Sequence, residues 1–269
     1  MKTNMPRIGL ACALLACLFL ASTASFAANV LYYKNKNTVQ AKKIEWREAD
    51  QVYRVLTMDD ITLPVPKAQV DHLEIDKPAD LDKAAQMLSA KPPQYDAAIP
   101  LLDGVVQNYK MLVWDIPARY LLVRAHAGKS DSKKLIAALR PLVESDSKNE
   151  IPAEIRRLYW GGLLQDKQTA TLKTDLEDAI AVAPREVAAF AQIARGDYNR
   201  SESRKEDALL DYLRTVILFE QVKEAQPEAL FKAAELLDEM RDPRAEDMKK
   251  RLVSNYPDSP FAKQLSGKM

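Results

Sequence analysis

Cysteine and histidine are the scarcest reactive residues of this chain, which has 2 of each in 269 residues. Both cysteines, Cys12 and Cys17, lie in the N-terminal segment, so the rest of the chain holds no disulfide framework, thiol nucleophile or Cys-ligated zinc site. The histidines, His72 and His126, belong to no His-Glu-x-x-His run. We therefore expect neither a metal site nor a cofactor.

Glycine is also sparse, and no charge of one sign dominates. The 7 glycines leave little room for phosphate-cradling loops or for a turn-rich all-β fold. The 39 Lys and Arg residues balance 38 Asp and Glu, and no block of like charges is present, so we predict no nucleic-acid partner. A hydrophobic fraction of 47%, spread through the chain, predicts a packed core.

The N-terminal segment has the pattern of an export signal. Lys2 and Arg7 precede an uninterrupted apolar stretch over residues 8–21, and small residues stand at Ser25 and Ala27. We predict a signal peptide over residues 1–27 that is cleaved between Ala27 and Ala28. The apolar stretch is shorter than the roughly 20 residues that span a bilayer, so the mature chain is predicted to be periplasmic, without a transmembrane segment.

A second interpretation of this segment stays open. The run Leu14-Leu15-Ala16-Cys17 resembles a bacterial lipobox, which would make Cys17 the acylated first residue of an outer-membrane lipoprotein facing the periplasm. Against it, Leu18-Phe19-Leu20 continues the apolar stretch where such lipoproteins turn small and polar. With the signal peptide removed, the mature chain has no cysteine and its formal charge changes from +1 to −1.

Residues 28–76 have the pattern of a small β module. Apolar and β-branched residues recur near period two in short runs, and Lys34 to Asn37 and Asp59-Asp60 interrupt them as turns. Pro64 and Pro66 cannot donate to a ladder and are interpreted as marking a strand end. The phrase from Asp59 to Ile75, a turn, a strand, a Pro-bounded single turn and a last strand, resembles the tail of an SH3-like or Sm-like barrel.

Residues 77–269 change to helical periodicity, and repeats recur within them. Small residues followed four positions later by large apolar ones align five segments at Ala98, Ala138, Ala179, Ala208 and Ala245. Predicted partner helices cover residues 80–90, 114–127, 152–165, 185–193 and 227–240. Their spacing scatters around the 34 or so residues of a tetratricopeptide repeat. The sequence thus predicts a mainly α fold, an α-solenoid of about five helix pairs.

The first and last pairs carry the resemblance to the tetratricopeptide-repeat (TPR) family. Tyr95, Ala98 and Leu102 in "QYDAAIPLL" match the aromatic, small and large apolar positions of that family. The family positions recur over residues 229–257, which end at Pro257. The following Tyr-Pro-x-Ser-x-x-Ala junction is similar to that of envelope repeat proteins, and Ser259 is predicted to cap a helix.

Aromatic residues beside a glycine pair provide the candidate binding site. Tyr159 and Trp160 precede Gly161 and Gly162, two helix-interior glycines that cost about 1 kcal/mol each relative to alanine. One interpretation is a close helix crossing under the tryptophan. The other is a kink that opens a groove in which Tyr159 or Trp160 anchors a peptide or glycan. Trp114, at the start of a predicted helix, is a further candidate partner-binding residue.

Sequence fragments that resemble catalytic motifs have simpler explanations. Gly128-Lys129-Ser130 matches the end of a P-loop but follows a helical pattern, so we expect Gly128 in a left-handed helix end and Ser130 or Ser132 as the next cap. Ser130-x-x-Lys133 and Ser145-x-x-Lys148 resemble an acylating motif, yet such residues are common in loops between helices.

The function predicted from these features is binding. A solenoid offers an extended concave surface, and no nucleophile, base and orienting group converge in the sequence. We expect a non-catalytic scaffold or adaptor of the bacterial cell envelope that binds an envelope protein or peptide on that concave face. The alternative is a hydrolase or transferase acting on cell-wall polymer, or an accessory subunit of such an enzyme, which would need a carboxylic acid in an apolar cleft.

Overall fold

The computed structural model describes residues 29–267. The predicted signal peptide, the cleavage site at Ala27 and Ala28, and Cys17 lie outside the described residues. Five strands and eleven α-helices make up the described part of the chain, in that order. Within it, no helix has the length and apolar character needed to cross a membrane.

The N-terminal strands form one antiparallel sheet. They are β1 Asn29–Tyr33, β2 Thr38–Arg47, β3 Val52–Thr57, β4 Thr62–Pro66 and β5 Val70–Glu74. Consecutive strands pair from β1 to β4, and after the 3-10 turn Lys67–Gln69 the chain returns so that β5 pairs with β1. The resulting five-stranded sheet, in the order β4-β3-β2-β1-β5, is the small SH3-like or Sm-like β module expected from the sequence.

Two local features explain departures from strict alternation in the strands. The register of β2 against β3 shifts between Ala41 and Lys43, and this bulge lets Ala41 and Ile44 both face the core. Pro66 is the last residue of β4, where the sequence predicts a strand end, whereas Pro64 lies inside the strand. They are tolerated because β4 is an edge strand and one of its sides needs no donors.

The helices fill the rest of the chain. They are α1 Ala79–Ser89, α2 Tyr95–Asn108, α3 Asp115–Gly128, α4 Ser132–Val143, α5 Ala153–Gln165, α6 Thr169–Val182, α7 Arg185–Ser201, α8 Lys205–Leu218, α9 Gln226–Glu239, α10 Arg244–Asn255 and α11 Pro260–Ser266. The mainly α, paired-helix architecture predicted from the sequence is confirmed. Two bounds were wrong: α7 continues past Ile193 to Ser201, and the segment around Ala179 belongs to a helix that starts at Thr169.

The helix pairs stack in two rows. Among the odd-numbered helices, α3 packs against α5 and α5 against α7, while the even-numbered helices α2, α4, α6 and α8 each pack between consecutive odd ones. Neither partner of a pair could bury its apolar stripe alone, so stacking supplies the core. The last helix, α11, packs on α9 and α10, and Ser259 caps it by accepting a hydrogen bond from the Ala262 amide at 3.0 Å.

The loop between α2 and α3 joins the β module to the helices. Leu112, in this loop, is 2% exposed and lies in the β-module core with Leu31, Val55 and Val65. The Trp114 indole donates a hydrogen bond to the Ile75 carbonyl at 2.8 Å, just after β5. The helical part of the chain therefore completes the core of the sheet.

This loop has unusual backbone geometry. Met111 and Val113 have φ of 61° and 73°, in the left-handed region that β-branched residues such as valine rarely adopt. Asp115 holds the loop from the start of α3 by accepting a hydrogen bond from the Met111 amide at 3.3 Å. The Tyr53 hydroxyl of β3 donates to the Met111 carbonyl at 3.3 Å. Contacts from both parts of the chain thus hold a strained connection.

Candidate functional site

An ion-pair cluster lies on the surface shared by α5, α7 and α9, which we call the odd-helix face. Arg157 of α5 donates to Asp197 of α7 and to Glu228 of α9, each at 2.5 Å. Lys232, one turn after Glu228 on α9, contacts Asp197 at 2.9 Å. Four side chains from three helices that are distant in sequence thus meet at one place because alternate helices of the stack are neighbours there.

The electrostatics of the cluster favour the charged forms of Asp197 and Arg157. Burial raises the pKa of Asp197, but Arg157 and Lys232 outweigh it, so the net effect is a lowered pKa. Burial likewise opposes the charge of Arg157, while Glu228 and Asp197 raise its pKa. Side-chain exposures of 13% to 21% leave the cluster partly open to solvent. It is therefore a fixed array of charges that a bound molecule could reach.

A tyrosine supports the cluster from the second row of helices. The hydroxyl of Tyr212 in α8 donates to Asp197 at 2.8 Å, and its ring is fully buried. Burial and the neighbouring Asp197 raise the Tyr212 pKa, so the hydroxyl keeps its proton and stays a donor. The ring fits because Gly196 has no side chain: a Cβ there would lie 2.4 Å from a ring carbon of Tyr212.

The two glycines singled out in the sequence have different surroundings. A Cβ on Gly162 would lie 2.9 Å from Leu135 of α4, so this glycine permits a close helix crossing. A Cβ on Gly161 would meet nothing nearer than the Arg157 guanidinium at 3.9 Å. Gly161 therefore lies beside the ion-pair cluster, in space that a side chain could fill.

The structure places both aromatic candidates inside the protein. Tyr159 and Trp160 are 2% and 1% exposed, and α5 runs unbroken through the glycine pair. The Trp160 indole donates to Asp175 at 2.5 Å, and Asp175 also pairs with the fully buried Arg156 at 3.1 Å. The hypothesis of a kink with an exposed aromatic anchor does not agree with this burial, because both rings are part of the helix packing.

Trp114 is half-buried at the junction between the β module and the helices. Its indole nitrogen is engaged by Ile75, and the Lys77 ammonium lies 5.7 Å from the centre of its ring. These contacts are internal. The structure therefore assigns Trp114 a role in holding the two parts of the chain together, a role that its sequence context did not indicate.

A groove of about 800 Å³ runs beside the same junction. The 3-10 turn and β5 line one side, the strained loop residues Met111 and Val113 line another, and Tyr53 contributes apolar surface. Strained backbone of this kind persists only where its surroundings over-determine it, and it is frequent at ligand sites. The groove lies apart from the odd-helix face.

The fragments that resemble catalytic motifs are parts of helix connections. Gly128 is the last residue of α3 and does not have a positive φ; Ser130 has the left-handed conformation instead, with φ of 56°. The N-cap of α4 is Asp131, whose side chain accepts a hydrogen bond from the Lys134 amide. Position 128 requires a residue without a side chain, because a Cβ there would lie 2.3 Å from the Tyr95 ring. Ser145 donates to the Leu142 carbonyl and Lys148 pairs with Asp178 at 2.5 Å. None of these contacts forms a nucleophile and base pair.

The two histidines occupy different environments. His126 is 5% exposed within α3 rather than solvated at its end, and burial lowers its pKa. His72 is exposed on β5, stacked on Tyr32 with ring centres 4.1 Å apart. In residues 29–267 no group of three or more potential ligands among His, Cys, Asp and Glu is arranged to hold a metal ion.

Comparisons with known proteins give a distant structural likeness. The sequence matches no protein-family model and no curated protein. Among solved structures, it is similar to a thermophilic TPR protein of Thermus thermophilus, with a TM-score of 0.48 and 16% identity over 70% of this chain and 96% of that one. This likeness says nothing about what this chain binds.

Proposed function

We propose that this protein is a non-catalytic binding scaffold or adaptor of the bacterial cell envelope, exported by its N-terminal segment, and that the odd-helix face is its concave binding surface. The partner on that face is a peptide segment of another envelope protein. Export and location rest on the pattern of residues 1–27, in which Leu14 to Cys17 leaves the lipoprotein form open as the alternative. The choice of the odd-helix face rests on Gly161 beside the ion-pair cluster.

The position of Gly161 beside the ion-pair cluster is the observation that carries the proposal, since Gly104, which is equally free of packing contacts, has no such neighbour. A glycine inside a helix costs about 1 kcal/mol relative to alanine, and the space above Gly161 would accept a methyl group without a clash. Packing within the chain therefore does not explain it. A glycine beside Arg157 leaves backbone and guanidinium open to an approaching chain, which is a recognised use of glycine at ligand sites.

The charges of the face fit recognition better than acid catalysis. A glycosidase-type general acid needs a raised carboxyl pKa, produced by an apolar wall or a neighbouring carboxylate. Asp197 instead has a lowered pKa, because Arg157 and Lys232 stabilise its ionised form. A mixed array of fixed charges suits a polar peptide whose own charges replace part of the internal pairing.

Site-specific photo-cross-linking in envelopes tests the face. A benzophenone amino acid replaces Gly161 in one variant and Gly104 in the other; Gly104 is the matched control because it also lies inside a helix, α2, with nothing within 4 Å of its Cβ position. We expect position 161 to cross-link a discrete envelope protein, identified by mass spectrometry, and position 104 not to do so.

Four results would contradict the proposal. Identical cross-links from positions 161 and 104, or none from 161, would remove the odd-helix face as the binding surface. Turnover of purified peptidoglycan by the wild-type protein would favour the alternative, a cell-wall hydrolase or transferase. A chain recovered only from the cytoplasm with residues 1–27 attached would refute export, whereas an acylated Cys17 at the mature N-terminus would establish the lipoprotein form.

A further inference from the structure

The two edges of the β-sheet differ in how they are protected. Strands β4 and β5 are the outer strands of the order β4-β3-β2-β1-β5. The β4 edge carries Pro64 and Pro66, which have no N–H and cannot support pairing with another strand. The β5 edge, Val70–Glu74, contains no proline and is paired only with β1 among the described residues. One edge is thus blocked and the other is open.

The open edge borders the junction groove. Residues Val70 to Leu73 of β5 line the groove of about 800 Å³, together with Tyr53, Met111 and Val113 from the opposite sides. An added strand runs about 4.8 Å from its neighbour and extends about 3.4 Å per residue, so the length of β5 would accept a segment of about five residues. The apolar surface of Met111 and Val113 would receive alternate side chains of that segment.

Two lysines at one end of the groove have no charged partner among residues 29–267. Asp71 pairs with His72 at 2.8 Å, and Asp50 lies 4.0 Å from Arg47. Lys34 and Lys67 also line the groove, at the end where β5 begins, and no ion pair or side-chain hydrogen bond engages their ammonium groups within residues 29–267. The Lys34 amide is bonded to the Gln69 carbonyl, so it lies close to the start of β5. The charged groups of the groove without a side-chain partner among residues 29–267 are therefore Lys34 and Lys67, which lie at one end.

We propose that the β5 edge is a second binding site, at which an extended segment of a protein partner adds antiparallel to β5 and places acidic groups near its C-terminal end against Lys34 and Lys67. Antiparallel addition continues the pattern of every other pair in the sheet. Main-chain hydrogen bonds supply most of the affinity, and the lysines set direction and charge preference. The protein then holds two partners, one on the helices and one on the sheet.

A peptide-binding measurement on the full mature chain tests this site. The probe is a short fluorescent peptide of alternating valine and threonine that ends in two glutamates, and its counterpart ends in two lysines. We expect the glutamate peptide to bind more tightly. The double substitution Lys34→Glu and Lys67→Glu should weaken its binding by about tenfold or more, because two attractions become repulsions.

Two further observations keep the test independent of folding. Lys133 and Lys173 are exposed on α4 and α6, so the double substitution Lys133→Glu and Lys173→Glu makes the same charge change elsewhere and should leave affinity unchanged. Hydrogen exchange of the Val70–Glu74 amides should slow when the glutamate peptide binds.

Equal weakening by both double substitutions, or unprotected β5 amides at saturating peptide, would overturn the proposal. Protection of β5 that grows with protein concentration and needs no peptide would identify a second copy of this chain as the occupant and would also overturn it. Failure here leaves the odd-helix face untouched, because cross-linking from position 161 does not involve the sheet.

Discussion

Truncation of Leu112 gives the sharpest test of how the two parts of this chain depend on each other. The side chain comes from the α2–α3 loop, is 2% exposed and completes the core formed by Leu31, Val55 and Val65. Replacing a buried leucine with alanine costs between about 2 and 5 kcal/mol, from lost transfer free energy and the cavity left behind. We expect Leu112→Ala to lower the free energy of unfolding by about 3 kcal/mol.

The strained loop around Leu112 affects how much stability the Leu112→Ala substitution removes within the range of about 2 to 5 kcal/mol. Left-handed φ values at Met111 and Val113 each cost on the order of 1 to 3 kcal/mol, and burial of Leu112 is one of the contacts that maintain them. Without the Leu112 side chain the loop can relax, and the strain energy that it releases offsets part of the lost stability. The expected loss is therefore near the middle of the range rather than at its upper end.

Urea denaturation followed by tryptophan fluorescence measures the effect, since Trp46 lies in the sheet and Trp160 in the helices. Leu218→Ala is the matched control: Leu218 is 59% exposed, and its loss should change stability by no more than about 0.5 kcal/mol. A loss below about 1 kcal/mol for Leu112→Ala, or the same loss in both variants, would refute the view that this loop completes the core of the sheet.

The remaining predictions concern two buried positions in the helices. Gly196→Ala should destabilise the protein by about 1 to 3 kcal/mol, because the added Cβ would lie 2.4 Å from the Tyr212 ring. Gly104→Ala, where the added Cβ meets nothing within 4 Å, should stabilise the protein by up to about 1 kcal/mol. Thermal unfolding of both variants measures these changes, and a gain in stability for Gly196→Ala would contradict the prediction. Burial lowers the pKa of His126, with Asp131 and Asp103 opposing this effect and Lys134 adding to it. Between the two pKa values the folded chain therefore binds fewer protons at His126 than the unfolded chain, so stability should fall as the pH drops from 6.5 toward the lower pKa of the folded state. His126→Gln should reduce this loss of stability. Identical stability–pH profiles of the wild type and His126→Gln would exclude His126 as the cause.

Periodicity and turn chemistry were sufficient to predict the architecture. Alternation from Val30 to Ile75 and helical spacing after Lys77 depend on how side chains are distributed about a strand or a helix, and that information is local. The cap at Ser259 followed for the same reason, because a serine before Pro260 satisfies amides only three residues away. Local rules failed where a position was set by a distant contact, as at Gly128, whose size is dictated by Tyr95.

The candidate sites depended on contacts that the sequence does not encode locally. The sequence left two interpretations of Tyr159 and Trp160 open, a close helix crossing and an anchor in an open groove, and only packing places both rings in the core. The residues that do share a face, among them Arg157, Asp197 and Glu228, are ordinary charged residues in their own segments. Only the stacking of alternate helices brings them together.

The sequence by itself determined the order of strands and helices, the scarcity of cysteine and the export pattern, because each is a property of neighbouring residues or of composition. Tertiary structure decided which edge of the sheet stays open, how Leu112 joins sheet and helices, and which charges meet on the odd-helix face. The physical reason is that burial and pairing depend on the distance between side chains in the folded chain, and helix stacking sets those distances between residues far apart in sequence.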